Sequence, residues 1–307
     1  MLIRAGYEIV FQHPVPTPMS LLLRIHPSRE ADIRHQEVRV EPGVPVESVL
    51  DGFGNRCERL VAPAGQLTLW ADAVIEDGGV PDPVVPHAAQ APVETLPGNV
   101  LPYLMSSRYC EVDKLTETAW QLFGQTPTGW PRVQAVCDWV HRHVRFGYPF
   151  ARPTKSAADT LAEGAGVCRD FTHLAVTFCR CLNIPARYVS GYLGDIGIPP
   201  VPSPMDLSAW FEVWLGGAWH TFDARHNQRR IGRILMSTGR DATDTAFTTS
   251  HGNSLLLGFK IWTDEISADQ VPLALDEASR TATTPVSDAA QAVAVHSGNG
   301  QLTAAIS

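Results

Sequence analysis

Alternating apolar and polar positions distinguish the first part of the chain. Between Tyr7 and Glu76, short runs of β-branched and aromatic residues are separated by turn residues, including a glycine-containing turn at 51–55. Alternation with a period of two residues is typical of strands that bury one face. The pattern therefore predicts a small N-terminal β-sandwich over residues 1–80.

The next segment is rich in proline, with residues of this type at 81, 83, 86, 92, 97 and 102. Proline fixes φ and has no N–H group to donate to a strand ladder. We therefore expect an extended linker over residues 81–102.

Past residue 102 the spacing of apolar residues changes to the 3.6-residue period of a helix. One apolar face is formed by residues within 115–123, and a second by residues within 133–144, where Pro131 can begin the helix. Two packed helices are predicted here.

Two further helices follow. The first, over 156–161, begins at Ser156 and has Asp159 three positions later, a variant of the capping box. A glycine loop at 164–166 separates it from a long amphipathic helix that begins near Cys168 and ends before Pro185.

The pattern then returns to strands. A strand is predicted over 186–193, followed by a proline-rich loop at 194–204 and by the runs AWFEVWL and AWHTFDA, which flank Gly216 and Gly217. A Gly-Gly connection of this kind indicates a hairpin in which Leu215 pairs with Ala218. Together with a strand at 255–262, which we expect to close the sheet, these elements predict an α+β core over 103–266. Residues 267–307 are predicted to be a low-complexity tail.

Composition narrows the function classes. The 307 residues have a formal net charge of -8 and include six cysteines. An acidic chain without a Lys/Arg run is not typical of nucleic-acid binding, and no apolar run approaches the length needed to span a membrane. The sparse cysteines and the lack of a visible export signal favour reduced thiols and a cytoplasmic location. Cys179 and Cys181 stand one residue apart on a predicted helix, so we expect buried thiols there and no metal site.

Cys168 is the candidate nucleophile. It follows a glycine loop that we expect to be flexible and begins a helix, where unpaired N–H groups and the helix dipole favour a thiolate. The alternative is a buried structural thiol, which is the commoner role of cysteine.

Three segments carry a resemblance to a known family. The stretches GVCRDFTHLAVTFCRCLNIPARYVSGYL (166–193), AWFEVWLGGAWHTFDARHN (209–227) and GRDATD (239–244) resemble bacterial members of the transglutaminase-like superfamily. The resemblance implies a papain-like core with helices packed on an antiparallel sheet, preceded by the β region that accompanies many bacterial members. It covers roughly residues 1–265.

The resemblance also implies a Cys-His-Asp triad, with Cys168 as the nucleophile and Asp223 in the position of the aspartate. Cysteine would attack an amide or ester carbonyl of a peptide or protein, histidine would serve as base and then as acid, and no cofactor would be needed. Transfer of the acyl group to an amine or to water remains open.

The chain departs from the family at the histidine. The family reads His-Ala-Trp where this chain reads Ser208-Ala209-Trp210. Extending the hairpin register puts Ser208 on the same face as Asp223, so a histidine at 208 would meet this carboxylate. Serine is too short to do so and is not a base at neutral pH.

Other histidines are candidate substitutes. His220 has the wrong strand parity, and His173 lies about 140° round the helix from Cys168, so we expect structural or surface roles for both. His226 also has the wrong parity, but a turn after Ala224 would free it from this rule. His226 is therefore the best substitute base.

Two assignments retain alternatives at this point. Asp223 is expected to orient the base, although Arg225 nearby also suggests a local ion pair. Trp210 either lines a substrate cleft or packs in the core. The chain is accordingly expected to be a cysteine-dependent acyltransferase or amidase, weak if no substitute base exists, or else a catalytically silent relative that binds a peptide or protein.

Overall fold

The computed structural model describes residues 1–200 and 205–271, together with the backbone of 301–302. The end of the predicted proline-rich loop, at 201–204, and most of the predicted low-complexity tail lie outside the described residues.

The N-terminal strands form two antiparallel sheets together with three strands from residues 248–302, and all strands are numbered in chain order. The first has the order β14-β1-β6-β3 and the second β15-β13-β2-β5-β4. Their bounds are β1 (Leu2–His13), β2 (Thr17–Leu21), β3 (Ile33–Glu41), β4 (Glu47–Leu50), β5 (Arg56–Ala62), β6 (Gly65–Glu76), β13 (Thr248–Ser250), β14 (Leu255–Ile266) and β15 (Gln301–Leu302). Alternate residues of both sheets are buried in one apolar cluster, as their period of two predicted.

Strand β14 corrects one expectation. The sequence led us to place it at the edge of the core sheet, whereas it pairs along its whole length with β1. Gly6 of β1 makes this pairing possible, because a Cβ there would lie 2.4 Å from the ring of Trp262. The alternation of β14 indicates a strand but does not specify its partner.

Four α-helices follow the proline-rich segment. They are α1 (Val112–Phe123), α2 (Trp130–His143), α3 (Ala157–Glu163) and α4 (Cys168–Cys181). Ser156 and Asp159 form the predicted capping box of α3. Short 3-10 helices occur at Pro27–Asp32, Val93–Thr95, Leu101–Leu104 and Tyr148–Phe150. No helix in the described ranges is both long and apolar enough to cross a membrane.

The core sheet has the order β11-β10-β9-β12, formed by β9 (Ala186–Leu193), β10 (Leu207–Leu215), β11 (Ala218–Phe222) and β12 (Arg233–Gly239). The predicted hairpin register is confirmed, with Leu215 opposite Ala218. The ladder between β10 and β11 ends at the pair Phe211 and Phe222. The extension of this register to Ser208 and Asp223 therefore does not correspond to paired strands.

Helix α4 packs against β9 and β10. Its buried Arg180 donates to the carbonyl oxygens of Ala186 and Met105 and thereby fixes the helix relative to β9 and to the segment before α1. The apolar side of α4 joins α1, α2 and part of the core sheet in a second cluster, which includes Phe178 and Phe211.

The proline-rich segment lies along the core rather than apart from it. The carbonyl of Ala88 accepts from Trp130 N, and the carbonyl of Ala89 accepts from Gly216 N at the tip of the hairpin. These bonds fix an extended segment that has few internal backbone bonds of its own.

The structure is therefore an α+β fold in which helices pack on an antiparallel core sheet that follows a β region, as predicted. The first apolar cluster continues from the N-terminal sheets to Tyr188, Leu207 and Ala209 of the core sheet. The two parts thus share buried surface, while the proposed boundaries at 80, 102 and 266 stay predictions.

Candidate active site

Cys168 is the first residue of α4, where the sequence predicted it, and its side chain is buried. The first turn of a helix presents N–H groups that have no partner within the helix, and the dipole adds a partial positive charge. Both features favour a thiolate over a thiol at this position.

The glycine segment before Cys168 is anchored, which corrects our expectation of a flexible loop. Strand β8 (Ala165–Gly166) pairs in parallel with β7 (Arg145–Phe146). The buried Lys155 also donates from Nζ to the carbonyl of Ala165 at 2.9 Å. Sequence reasoning missed this pairing because two-residue strands show no periodicity.

Asp170 caps the helix that begins at Cys168. Its Oδ2 accepts from the N–H of Val167 at 2.9 Å, and Gly166 allows the close approach because a Cβ there would lie 2.6 Å from the Asp170 Cβ. Burial raises the pKa of Asp170, while the Arg169 guanidinium opposes this shift. The signal that we missed was an acidic residue three positions after the N-cap.

Asp223 lies just past the end of β11 and is held by four hydrogen bonds. Its Oδ1 accepts from the N–H groups of Arg225 and His226, both at 3.0 Å, and its Oδ2 accepts from Arg233 at 3.0 Å and from His226 Nδ1 at 2.9 Å. Burial alone would raise the pKa of Asp223, but the charges of His226 and Arg233 outweigh it and hold the pKa well below its ordinary value.

The ion-pair partner differs from our expectation. Arg225 contributes only its backbone N–H to Asp223, because its guanidinium lies over the ring of Phe146 at 3.9 Å from the centroid. The guanidinium on Asp223 comes from Arg233, ten residues further along the chain on β12.

His226 is brought to Asp223 by a turn. The chain leaves the strand after Phe222 and turns through 224–226, so the parity rule no longer applies to His226. A carboxylate is only an acceptor, so the 2.9 Å contact requires a proton on Nδ1 and leaves the lone pair of the neutral ring on Nε2. This is the tautomer that a general base needs.

The Arg225 side chain connects this turn to the segment before Cys168. Phe146, under the Arg225 guanidinium, is opposite Gly166 in the β7–β8 pair. Burial raises the pKa of Tyr148, the charges of Asp206 and Cys168 add to this shift, and the charge of Arg225 opposes it. The turn and the start of α4 therefore border the same part of the molecule.

Ser208 lies in β10 opposite Gly191 of β9 and is 6% exposed. It occupies a regular strand position beyond the end of the β10–β11 ladder. The Asp223 oxygen that a histidine at 208 was expected to meet already accepts from His226 and Arg233.

Trp210 is 2% exposed, and its ring lies beneath the Arg233 guanidinium at 5.0 Å from the centroid. The ring also approaches the backbone of β9 at Gly191. Trp210 thus packs between the strand and a charged group that binds Asp223, and its role in substrate binding stays a prediction.

The two other histidines that we considered have structural contacts. His173 Nε2 accepts from the N–H of Ala242 at 3.1 Å, and burial lowers the pKa of this ring to about 3. His220 Nε2 lies 3.1 Å from the carbonyl of Leu215 at the end of the hairpin. Neither contact involves the Asp223 carboxylate.

Burial disfavours the thiolate form of the five remaining cysteines. Burial is the first cause that raises the thiol pKa at each of these positions, namely Cys57, Cys110, Cys137, Cys179 and Cys181. Only Cys57 among the six is not fully buried. Position at a helix start, rather than exposure, distinguishes Cys168.

A cysteine at the start of a helix that packs on an antiparallel sheet, with an Asp-His pair just past the end of one strand of that sheet, is typical of papain-like cysteine proteins. Residues 117–224 match the family described as the transglutaminase-like superfamily. The match includes Cys168, Ser208 and Asp223 but ends before His226.

A solved structure extends the match to nearly the whole chain. It is a candidate cysteine protease of Cytophaga hutchinsonii, 30% identical, with a TM-score of 0.76, and the alignment covers 88% of this chain and 92% of that chain. The chain belongs to the transglutaminase-like superfamily.

Curated relatives occur in mycobacteria. An uncharacterized protein of Mycobacterium leprae is 26% identical over 191 residues, which are 61% of this chain and 68% of that protein. An uncharacterized protein of Mycobacterium tuberculosis is 28% identical over 159 residues, which are 46% of this chain and 48% of the relative. The chain thus spans about half the length of the second relative.

Proposed function

We propose that this protein is a cysteine-dependent acyltransferase or hydrolase in which Cys168 is the nucleophile, His226 the base and Asp223 the orienting residue. The observation that carries the proposal is the 2.9 Å contact between His226 Nδ1 and Asp223 Oδ2. A base oriented by a carboxylate is what a thiol nucleophile requires, and here it comes from the turn after β11 rather than from position 208.

The first half-reaction would acylate the enzyme. The Cys168 thiolate attacks the carbonyl carbon of an amide or ester, and the N–H groups at the start of α4 stabilise the oxyanion. As the C–N or C–O bond breaks, protonated His226 gives its proton to the leaving amine or alkoxide. The products are a thioester on Cys168 and a free amine or alcohol.

The second half-reaction would release the acyl group. Neutral His226 takes a proton from water or from an amine as the oxygen or nitrogen attacks the thioester carbon. The C–S bond breaks, and Cys168 regains the proton or remains a thiolate paired with the imidazolium. Water gives a carboxylic acid and an amine gives a new amide, and similarity to a candidate cysteine protease favours water.

A second function remains a candidate, a catalytically silent relative that binds a peptide or protein in the same region. Two points favour it: the sequence resemblance implies that Ser208 stands where the family has histidine, and the Cys168 side chain is 0% exposed. Both candidate functions use the same part of the molecule. They differ in whether Cys168 reacts with the acyl group of a substrate.

Substitution at position 208 distinguishes a native base at His226 from a triad that has lost its base at position 208. We expect Ser208→His to leave hydrolysis of a p-nitrophenyl ester within about twofold of the native rate, because Asp223 Oδ2 already holds His226 and Arg233. Ser208→Ala, which fits the same strand position, should also retain activity. Initial rates measured with both variants, after circular dichroism has verified their folding, give the answer.

A different outcome would restore the idea of a damaged triad. If Ser208→His raises the rate tenfold or more, and Asp223→Asn in the same background removes the gain, position 208 is where the base belongs. In that case His226 is not the base of the native protein.

A further inference from the structure

Arg233 connects the Asp223 carboxylate to a second carboxylate, that of Asp82 in the proline-rich segment. Its terminal nitrogen lies 3.0 Å from Asp223 Oδ2 and its Nε lies 2.9 Å from Asp82 Oδ2. The side chains are 8%, 3% and 17% exposed for Arg233, Asp223 and Asp82, respectively. Ion pairs this far from solvent are screened less than surface pairs, so their geometry matters more.

Trp210 fixes the guanidinium from a third direction. The Arg233 carbon at the centre of the guanidinium lies 5.0 Å from the centroid of the Trp210 ring, within range of a cation–π interaction. With two carboxylates and an indole around it, Arg233 has little rotational freedom. It therefore presents a fixed donor to Asp223.

Asp82 is itself held firmly by the chain that leads to Arg233. Its Oδ2 accepts from the N–H of Arg230 at 3.0 Å, and its own N–H donates to the Arg230 carbonyl at 2.9 Å. The neighbouring Arg229 donates to the carbonyls of Asp82 and Pro81. The proline-rich segment thus delivers a carboxylate to one defined point beside Arg233.

Charged groups surround the His226 ring. Asp223 Oδ2 accepts from both His226 Nδ1 and Arg233, so the two donors share one carboxylate oxygen. The other titratable or charged groups near the turn come from α2, the turn itself, the start of α4 and the segments that pack beside them, namely Asp138, His141, Arg225, Arg230, Cys168, Tyr148 and Asp206.

We propose that Arg233, held by Asp82 and Trp210, is a positioning residue that fixes the Asp223 carboxylate and shares the negative charge of this carboxylate with His226. This inference rests on the proposed function, since it assigns a role to His226 as the base. It joins three distant parts of the chain, the proline-rich segment, the turn after β11 and the start of β12, in one arrangement.

Titration of the His226 ring, followed by NMR and assigned by the signal lost in His226→Gln, tests the proposal without a substrate. In Arg233→Met the negative charge of Asp223 faces His226 alone and stabilises the protonated ring. The titration should therefore move to higher pH by about one unit. In Arg233→Lys the charge remains and the shift should be smaller. Asp82→Asn removes one of the two carboxylates that bind Arg233, so the Arg233 charge then acts on Asp223 alone. The His226 titration should therefore be unchanged or move to lower pH.

Arg229→Gln is the matched control. It removes the same charge and also loosens the proline-rich segment, but its side chain does not contact Asp223. We expect the His226 titration of this variant to match that of the native protein. A purely structural role for Arg233 would lower the melting temperature without moving the titration.

Two results would overturn the inference. One is an unchanged or downward titration in Arg233→Met. The other, which applies even if Arg233→Met fails to fold, is an upward shift in Asp82→Asn. Failure of the proposed function is read separately: if His226→Gln leaves the alkylation rate of Cys168 unchanged across pH, His226 is not the partner of the thiol, whatever Arg233 does to its titration.

Discussion

Replacing Cys168 with alanine is expected to lower the turnover of an activated ester by about 10⁶-fold, to the background rate. In the proposed mechanism the nucleophile and its base act as a unit, so removal of the sulfur leaves His226 with no thiol to activate. Intact-mass spectrometry of the native protein after mixing with a slowly hydrolysed p-nitrophenyl ester should show one acyl group, and peptide mapping should find it on Cys168.

Cys57→Ala is the control for this experiment. Cys57 is the one cysteine of the described chain that is not fully buried, so it is the most plausible site for accidental acylation. The control should retain the native rate and the adduct. An adduct that persists in Cys168→Ala, or a rate that does not fall, would remove Cys168 from the mechanism.

The second large effect is expected for His226→Gln, which should lower turnover by about 10⁴-fold. Glutamine can still donate a hydrogen bond to Asp223 and should preserve the turn at 223–227, but it cannot take a proton. The loss should therefore fall on the maximal rate rather than on substrate binding. Steady-state kinetics with the same ester, together with a thermal melt, would measure both.

His220→Gln provides the matched control, because the same chemical change is made at a histidine that contacts the Leu215 carbonyl at the far end of the hairpin. Its rate should stay within about threefold of native. Comparable losses in the two variants would indicate an effect on folding, and native activity in His226→Gln would mean that another group is the base.

Local signals in the sequence predicted much of what positions the nucleophile. The Gly216-Gly217 pair fixed the hairpin register, and Ser156 with Asp159 fixed the start of α3. Each of these features depends on residues that are close in the chain. The same holds for the start of α4 at Cys168, since turn and cap chemistry act over a few residues.

Pairs of residues or strands that are distant in the chain could not be predicted from such local signals. The strand pattern of β14 did not reveal that β1 is its neighbour, and Arg225 was suggested as the partner of Asp223 only because it is adjacent. Arg233 reaches Asp223 because β12 lies beside β9, and Asp82 arrives from the proline-rich segment. Such convergence follows from tertiary packing, which no local periodicity encodes.

The position of His226 shows the same limit. Strand parity placed His220 on the face opposite to Asp223, and the same rule would have excluded His226 had the strand continued through 224–226. The ladder stops at Phe222 and the chain turns, because Asp223 accepts the N–H groups of Arg225 and His226 in place of a strand partner. The side chain of Asp223 thus both ends the strand and receives the imidazole.

The most direct test of the account is the rate at which iodoacetamide modifies Cys168 between pH 5 and pH 10 in the native protein and in His226→Gln. An isolated thiol with a pKa near 8.5 is only about 0.3% thiolate at pH 6, so its alkylation there is slow. The account predicts that native Cys168 reacts at pH 6 at least tenfold faster than Cys168 in His226→Gln, and that the two rates converge above pH 9. Equal rates at pH 6, or modification of Cys57 before Cys168 in the native protein, would contradict it.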